Sequence, residues 1–302
     1  MSASTVPANV LSAFGVTRNA PLKPLPGGSL VCFLAGDDVV FRPSEDDSES
    51  EQIAQILVKL RSIMTVEAEY RVSRPIPVVG CPERFVFGGW TAWSFVSGCG
   101  RDEISWHDTL HVCRAIHVDL GNVEIEKPEF LDRRLNRFRL ADQLAWGEAS
   151  LADMPNVTNP VVLSRINGPM KRLVQFRYPL DHLPNQLIHG DICGNMLFDS
   201  EGKPPGVIDM TFYWRPQAYG AAIAVADGLL WNKEGENLIE LYGTDTDSIQ
   251  LLVRALLFRT ATWVIDVPIV SRASDEAWAK TMLPLVDFDG AIDVINKYLA
   301  QN

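Results

Sequence analysis

Residues 187–198 read LIHGDICGNMLF. The apolar ends of this stretch demand burial, yet His189, Asp191 and Asn195 stand within seven residues in its middle. A carboxylate and an amide carried into such surroundings must be hydrogen bonded, ion paired or used chemically. A buried polar group without a partner costs about 1–3 kcal/mol, and a buried charge costs more. The stretch is also a β-like island in a mainly helical half of the chain. Ile104, Leu110, Val112, Ala115 and Ile116 open a series of apolar-periodic segments that continues near 130–150 and 160–180. The series resumes at 217–232, 235–243, 246–265 and 276–299.

The N-terminal third has a different pattern. LVCFLA (30–35) and VVFRP (39–43), separated by Gly36-Asp37-Asp38, predict a β-hairpin. Just before it, the glycines of Leu25-Pro26-Gly27-Gly28-Ser29 serve either as a plain turn or as a loop whose amides approach a phosphate. Ile53, Ile56, Leu57 and Leu60 recur at helical spacing, and Ser48 with Glu51 matches a capping box. RFVFGGW (84–90) and TAWSFV (91–96) predict two further strands, completing a small, mostly antiparallel sheet with one helix. Ser97-Gly98-Cys99-Gly100 reads as a hinge, which divides the chain into 1–97 and 98–302.

A net charge of -11 argues against a nucleic-acid partner, because phosphate affinity rests on clustered Lys and Arg. The most apolar window, 218–231, is 14 residues long and contains Asp227, too short and too charged to span a bilayer. The N-terminus has no basic region leading into an apolar run, so no secretory signal is expected and the reading is cytoplasmic, without a membrane partner. Five scattered cysteines lack the close pairs of a zinc site and read as reduced thiols.

After Asn195, Met196–Phe198 and Gly206–Ile208 flank the turn-rich DSEGKPP. A hairpin centred on Gly202 sets positions summing to 404 opposite each other, and so Asn195 across from Asp209. Two carboxylates and an amide in one pocket would need a cation, and oxygen ligands completed by phosphates and water suit Mg²⁺ better than zinc. Taken singly, His189 reads as a histidine that bonds backbone to hold a loop. Arg133, Arg134, Arg137 and Arg139 are either solvated or turned toward an anionic substrate. The tryptophans read as core anchors, with Trp214 and its neighbour Arg215 the first candidates for exceptions.

LIHGDICGNMLF followed by GVIDM resembles the catalytic loop and metal-binding strand of the aminoglycoside phosphotransferase and choline kinase family, which is related to protein kinases. More narrowly, HGDxxGN with YWRP (213–216) resembles an uncharacterised bacterial subgroup. The resemblance implies an α+β, two-lobed protein-kinase-like fold. Its small N-lobe is an antiparallel sheet with one helix, and its C-lobe is mainly helical with a short catalytic hairpin. Nucleotide, ATP or GTP, is then bound between the lobes, and its γ-phosphate passes to a hydroxyl of a small molecule. By the same resemblance Asp191, with His189 beside it, takes the place of the base, Asn195 and Asp209 those of the Mg²⁺ ligands, and Asp227 that of a brace for the loop. Arg42 stands where the family has a phosphate-holding lysine, Glu51 matches its helix partner, and Phe95 and Val96 fall in the adenine-contacting hinge. The phosphate loop falls on Gly27, Gly28 and Ser29.

Two features depart from that pattern: the step from Asp191 to Asn195 is four residues where five is usual, and arginine replaces lysine at position 42. They keep a second reading open, a kinase-like nucleotide-binding or regulatory protein with weak or no catalysis. A metal-dependent hydrolase is a third reading, short of the His and carboxylate ligands such sites use. The acceptor and the oligomeric state are not legible.

Overall fold

The computed structural model describes the 302-residue chain apart from residues 1–4, 26–30, 66, 102, 151, 153–159, 264–280 and 301–302. The expected phosphate loop at Gly27, Gly28 and Ser29 therefore lies outside the described residues. The fold is α+β and divides into two compact units. One comprises Met1–Glu103, Val118–Phe130 and Gly194–Met210; the other Ile104–His117, Leu131–Cys193 and Thr211–Asn302.

In the first unit, helix α1 (Ala8–Ala13) precedes strands β1 (Leu22–Leu25), β2 (Cys32–Ala35) and β3 (Val39–Pro43). Helix α2 (Asp47–Ile63) follows, then β4 (Arg71–Val72), β5 (Pro75–Ile76), β6 (Val86–Phe87) and β7 (Trp90–Ser94). The sheet order is β1-β2-β3-β7-β5 with β6 also on β7, and every pairing in it is antiparallel. The β2–β3 hairpin turns where the sequence placed it, pairing Ala35 with Val39. Strands β1, β4 and β5 were not expected; they are two to four residues long, too short to show an alternating pattern, and β1 and β5 contain a proline. Val10, Leu11 and Phe14 of the N-terminal segment pack against Phe33, Phe41 and Trp90 of the sheet.

The α2 cap corrects the sequence reading. Asp46, not a Ser48–Glu51 box, caps the helix, its side chain accepting from the Ser48 and Glu49 amides. The Glu51 carboxylate reaches instead to the Phe85 and Val86 amides at 2.9–3.0 Å, fixing the entry to β6.

The same unit contains a second sheet, in which β10 (Gly206–Val207) pairs parallel with β4 and antiparallel with β9 (Met196–Leu197). Its register also corrects the expectation. Val207 faces Met196 and Gly206 faces Leu197, so facing positions sum to 403, one less than expected. The segment read as a hinge is tied to this hairpin. Arg71 donates to both Ser97 and the Pro204 carbonyl, the Ser97 hydroxyl donates to Asp199, and Cys99 pairs with Phe198.

In the second unit the helices are α3 (Trp106–Asn122, whose last turn from Val118 falls in the first unit), α4 (Phe130–Arg133), α5 (Arg137–Trp146) and α6 (Pro160–Gln175). Strands β8 (Asn185–His189) and β11 (Phe212–Pro216) pair antiparallel, His189 opposite Phe212. Then come α7 (Tyr219–Trp231), α8 (Glu236–Tyr242), α9 (Thr246–Ala261) and α10 (Phe288–Leu299). The helix expected over 276–299 is not continuous: Leu283–Leu285 is a short 3₁₀ turn containing Pro284, and Asp287 caps α10 afresh. Helix α9 is packed by α5, α6, α7 and α10 and is buried along most of its length. Arg215 is structural: it forms ion pairs with Asp142 and Glu148 and stacks over Trp146, with Arg254 also over that indole. Arg134 and Arg139 spend donors on the carbonyls of Phe212 and Arg134.

His117 braces β8 from within the core. The His189 N–H can only donate, so His117 Nε2 accepts it at 3.0 Å and the ring proton sits on Nδ1, bonded to the Cys113 carbonyl at 2.5 Å. Burial first, and His189 second, lower the His117 pKa from 6.5 to about 4. Between those values the unfolded chain binds a proton that the folded chain refuses. Stability therefore falls as pH drops from 6.5 towards about 4 and is intact above that window. Urea denaturation across pH 7.5 to 4.5, read against a His117→Asn variant, is expected to show this slope in the wild type and a shallower one in the variant.

Candidate active site

In the second unit, β8 ends at His189 and the chain continues as Gly190-Asp191-Ile192-Cys193. His189 is fully buried, and its Nδ1 accepts from the Thr211 N–H at 3.3 Å. It works as a brace between this loop and the start of β11. Gly190 donates to the Thr211 carbonyl at 2.8 Å. A Cβ at position 190 would lie 2.5 Å from the Tyr213 ring, so the middle residue of the His-Gly-Asp run is fixed by packing. Ile192, 1% exposed, anchors the far side of the loop.

Asp191 meets a partner the sequence reading did not anticipate. One nitrogen of Arg259, Nη2 in the last turn of α9, donates to Asp191 Oδ1 at 2.7 Å and to Asp227 Oδ2 at 2.6 Å. Asp227 projects from α7, where its neighbours are buried and apolar. Burial raises the Asp227 pKa, and Arg259 draws it partly back. Burial alone would lower the Arg259 pKa; Asp227 and then Asp191 more than offset that, and the net shift is upward. The guanidinium is thus the counter-ion that lets a carboxylate sit inside α7 and fixes the Asp191 side chain from one side. The Cys193 thiol is pushed up to about 12, by burial first and the Asp227 charge second, so it is no nucleophile at neutral pH.

The first unit holds Arg42, Asn195 and Asp209. Arg42 lies on β3 opposite Thr91 of β7, whose hydroxyl donates to the Arg42 carbonyl at 3.2 Å. The Asn195 carbonyl accepts from Ile208 N–H at 3.0 Å, so Ile208, not Asp209, is its cross-strand neighbour. Asp209 follows with φ of +52°, a left-handed conformation that aspartate tolerates better than most residues. Its Oδ1 is 2.5 Å from Arg42 Nη1, both side chains being about two-fifths exposed. The expected Arg42–Glu51 pair is not formed: Arg42 is on Asp209, and Glu51 is on the Phe85 and Val86 amides. The Phe95 amide donates to the Asp38 carbonyl at 2.7 Å, and Val96 is buried, its side chain against Gly206.

A divalent cation fits the donor chemistry of the first unit, where a carboxylate and an amide bracket the β9–β10 hairpin and a guanidinium already serves as cation on the carboxylate. Among the described residues, no three His, Cys, Asp or Glu side chains could hold a metal alone. Such a cation would need phosphate oxygens to complete its shell, as Mg²⁺ commonly does.

Comparison with solved structures gives the same fold. The chain is similar to a microcompartment-associated aminopropanol kinase, with TM-score 0.62 and 16% identity over 97% of both chains. It is also similar to a spectinomycin phosphotransferase solved with ADP and spectinomycin, with TM-score 0.63 and 11% identity over 99% of this chain and 98% of that one. An aminoglycoside 2''-phosphotransferase solved with GDP and kanamycin gives TM-score 0.54 and 14% identity over 97% of both chains. No protein-family model matches the sequence, and no curated protein does. The fold is therefore the two-lobed, protein-kinase-like one that these solved structures share.

Replacing Arg259 with Met strands the Asp227 carboxylate, 11% exposed, without its counter-ion. A loss of about 3–5 kcal/mol in urea denaturation is expected. Adding Asp227→Asn is expected to recover part of it, giving a non-zero coupling in the double-mutant cycle.

Proposed function

We propose that the protein is an ATP- or GTP-dependent, Mg²⁺-assisted phosphotransferase that moves the γ-phosphate to a hydroxyl of a small molecule, in the cytoplasm. The carrying observation is the anchoring of Asp191 by Arg259 and Asp227 in the His-Gly-Asp loop. The fold supports the reading, being shared over nearly the full length with proteins described as phosphotransferases and a kinase.

In this reading Asp191 accepts the proton of the acceptor hydroxyl. The acceptor oxygen forms the new bond to the γ-phosphorus, and the bond to the β–γ bridging oxygen breaks, leaving a nucleoside diphosphate. Positioning and charge neutralisation supply most of the acceleration in such a transfer. His189 and Gly190 set the loop, and Arg259 sets the Asp191 side chain. Asn195 and Asp209 would hold the cation, which when bound neutralises charge on the phosphates. In this reading Arg42 serves the phosphates, Phe95 and Val96 the base, and Glu51 supports the sheet beside them; a phosphate-loop role for Gly27, Gly28 and Ser29 remains the proposal carried by the resemblance.

A second reading is nucleotide binding without catalysis, and the Arg42–Asp209 pair favours it by occupying the carboxylate a cation needs. Thermal shift with ATP or GTP, with and without Mg²⁺, comes first, since a ligand of the folded state raises apparent stability. Labelled γ-phosphate transfer to amino alcohols and aminocyclitols then separates the two readings. Transfer is expected in the wild type, with a loss of about 10²–10⁴-fold for Asp191→Asn. Mg²⁺-dependent nucleotide binding with no transfer to any acceptor would select the second reading.

A further inference from the structure

Arg42 and Asp209 form an ion pair whose two ends are held very differently from their tips. The Arg42 backbone is fixed in the middle of the main sheet, paired to Thr91, and Asp209 leaves the β9–β10 hairpin with φ of +52°. The charged groups meet at 2.5 Å with 41% and 39% of their side chains exposed. Anchored backbones with part-exposed side chains describe a contact that can be exchanged without rebuilding the fold. A guanidinium matches phosphate oxygens as well as it matches a carboxylate.

We propose that Arg42 is a built-in counter-ion for Asp209 that gates cation binding. In the nucleotide-free protein it occupies the carboxylate and competes with a divalent cation there. When a nucleoside di- or triphosphate binds, the guanidinium passes to the phosphate oxygens and Asp209 is released to the cation. The inference rests on the phosphotransferase reading and adds a regulatory property to it: nucleotide and cation promote each other's binding through one arginine. Linkage requires the two effects to be equal in size. A free divalent cation then finds a poor site until nucleotide is present, and nucleotide finds Arg42 partly engaged until a cation is present.

The test needs no acceptor and no turnover. Mn²⁺ binding is measured by electron paramagnetic resonance without nucleotide, in the wild type, Arg42→Met and Arg42→Lys, each also combined with Asp209→Asn. ADP binding is measured by calorimetry in EDTA for the same proteins. A half-exposed pair biases an equilibrium by up to about fivefold. Arg42→Met is therefore expected to bind Mn²⁺ a few-fold more tightly than the wild type, to lose that gain with Asp209→Asn, and to bind metal-free ADP more weakly. Arg42→Lys, which keeps the charge, is expected to fall between the two and serves as a folded control. Equal Mn²⁺ affinity in wild type and Arg42→Met, with ADP binding intact, overturns the gate and leaves the phosphotransferase reading in place. No nucleotide and no Mn²⁺ binding in any of the proteins removes both.

Discussion

A single guanidinium nitrogen shared by two carboxylates sets the terms for the second unit. Without Arg259, Asp227 would be an isolated charge within a helix whose other interior positions are apolar, and α7 could not pack as it does against α9. With it, the packing of two helices and the orientation of Asp191 become one problem. In the packing of α7 against α9, the cation that pairs Asp227 also reaches the Asp191 side chain. The loop geometry is constrained independently. His189 and Gly190 bond to Thr211, and the Tyr213 ring leaves no room for a Cβ at position 190. Backbone and side chain of the candidate base are thus fixed by different contacts, and neither depends on a ligand.

The two arginine–carboxylate systems differ in exposure, and that difference separates their roles. Arg259 is 13% exposed and Asp227 11%, so breaking their contact leaves charge in a low-dielectric interior. Arg42 and Asp209 are about three times more exposed, in a setting where water replaces a lost partner at small cost. The first pair suits a permanent strut and the second an exchangeable contact. An arginine at position 42 sharpens this, because its fork can hold carboxylate or phosphate with equally good geometry.

What could be read from the sequence was local. The β2–β3 hairpin, α2, and the run of His189, Asp191 and Asn195 all announce themselves within about a dozen residues, through turn chemistry, helical period and an unusual polar cluster. The contacts that missed detection are long in sequence. Arg259 lies 68 residues from Asp191 and 32 from Asp227, and Glu51 finds its amides 34 and 35 residues away. A signal for Arg259 did exist: Arg254 and Arg259 stand in the otherwise apolar RALLFRTA, and charges in a buried helix require partners. The capping box failed for a related reason. Ser48 and Glu51 had the right spacing, but Asp46 is the better-placed acceptor for the first turn, and Glu51 was needed elsewhere.

The misjudged hairpin register has a further consequence. Strict alternation made Asn195 and Asp209 cross-strand neighbours only if facing positions summed to 404; the observed sum of 403 puts Ile208 opposite Asn195. On a regular ladder that slip would send the Asp209 side chain to the opposite face. Alternation, however, holds only while the backbone stays extended, and Asp209 has left it for φ of +52°. Gly194, with φ of +84°, makes a comparable departure at the other end, immediately before Asn195. The chain thus enters and leaves the β9–β10 hairpin through left-handed residues, one immediately before Asn195 and the other Asp209 itself. The glycine turns the chain sharply there at no Cβ cost. The side-chain directions at Asn195 and Asp209 are therefore set by backbone conformation at the two ends of the hairpin, not by strand parity.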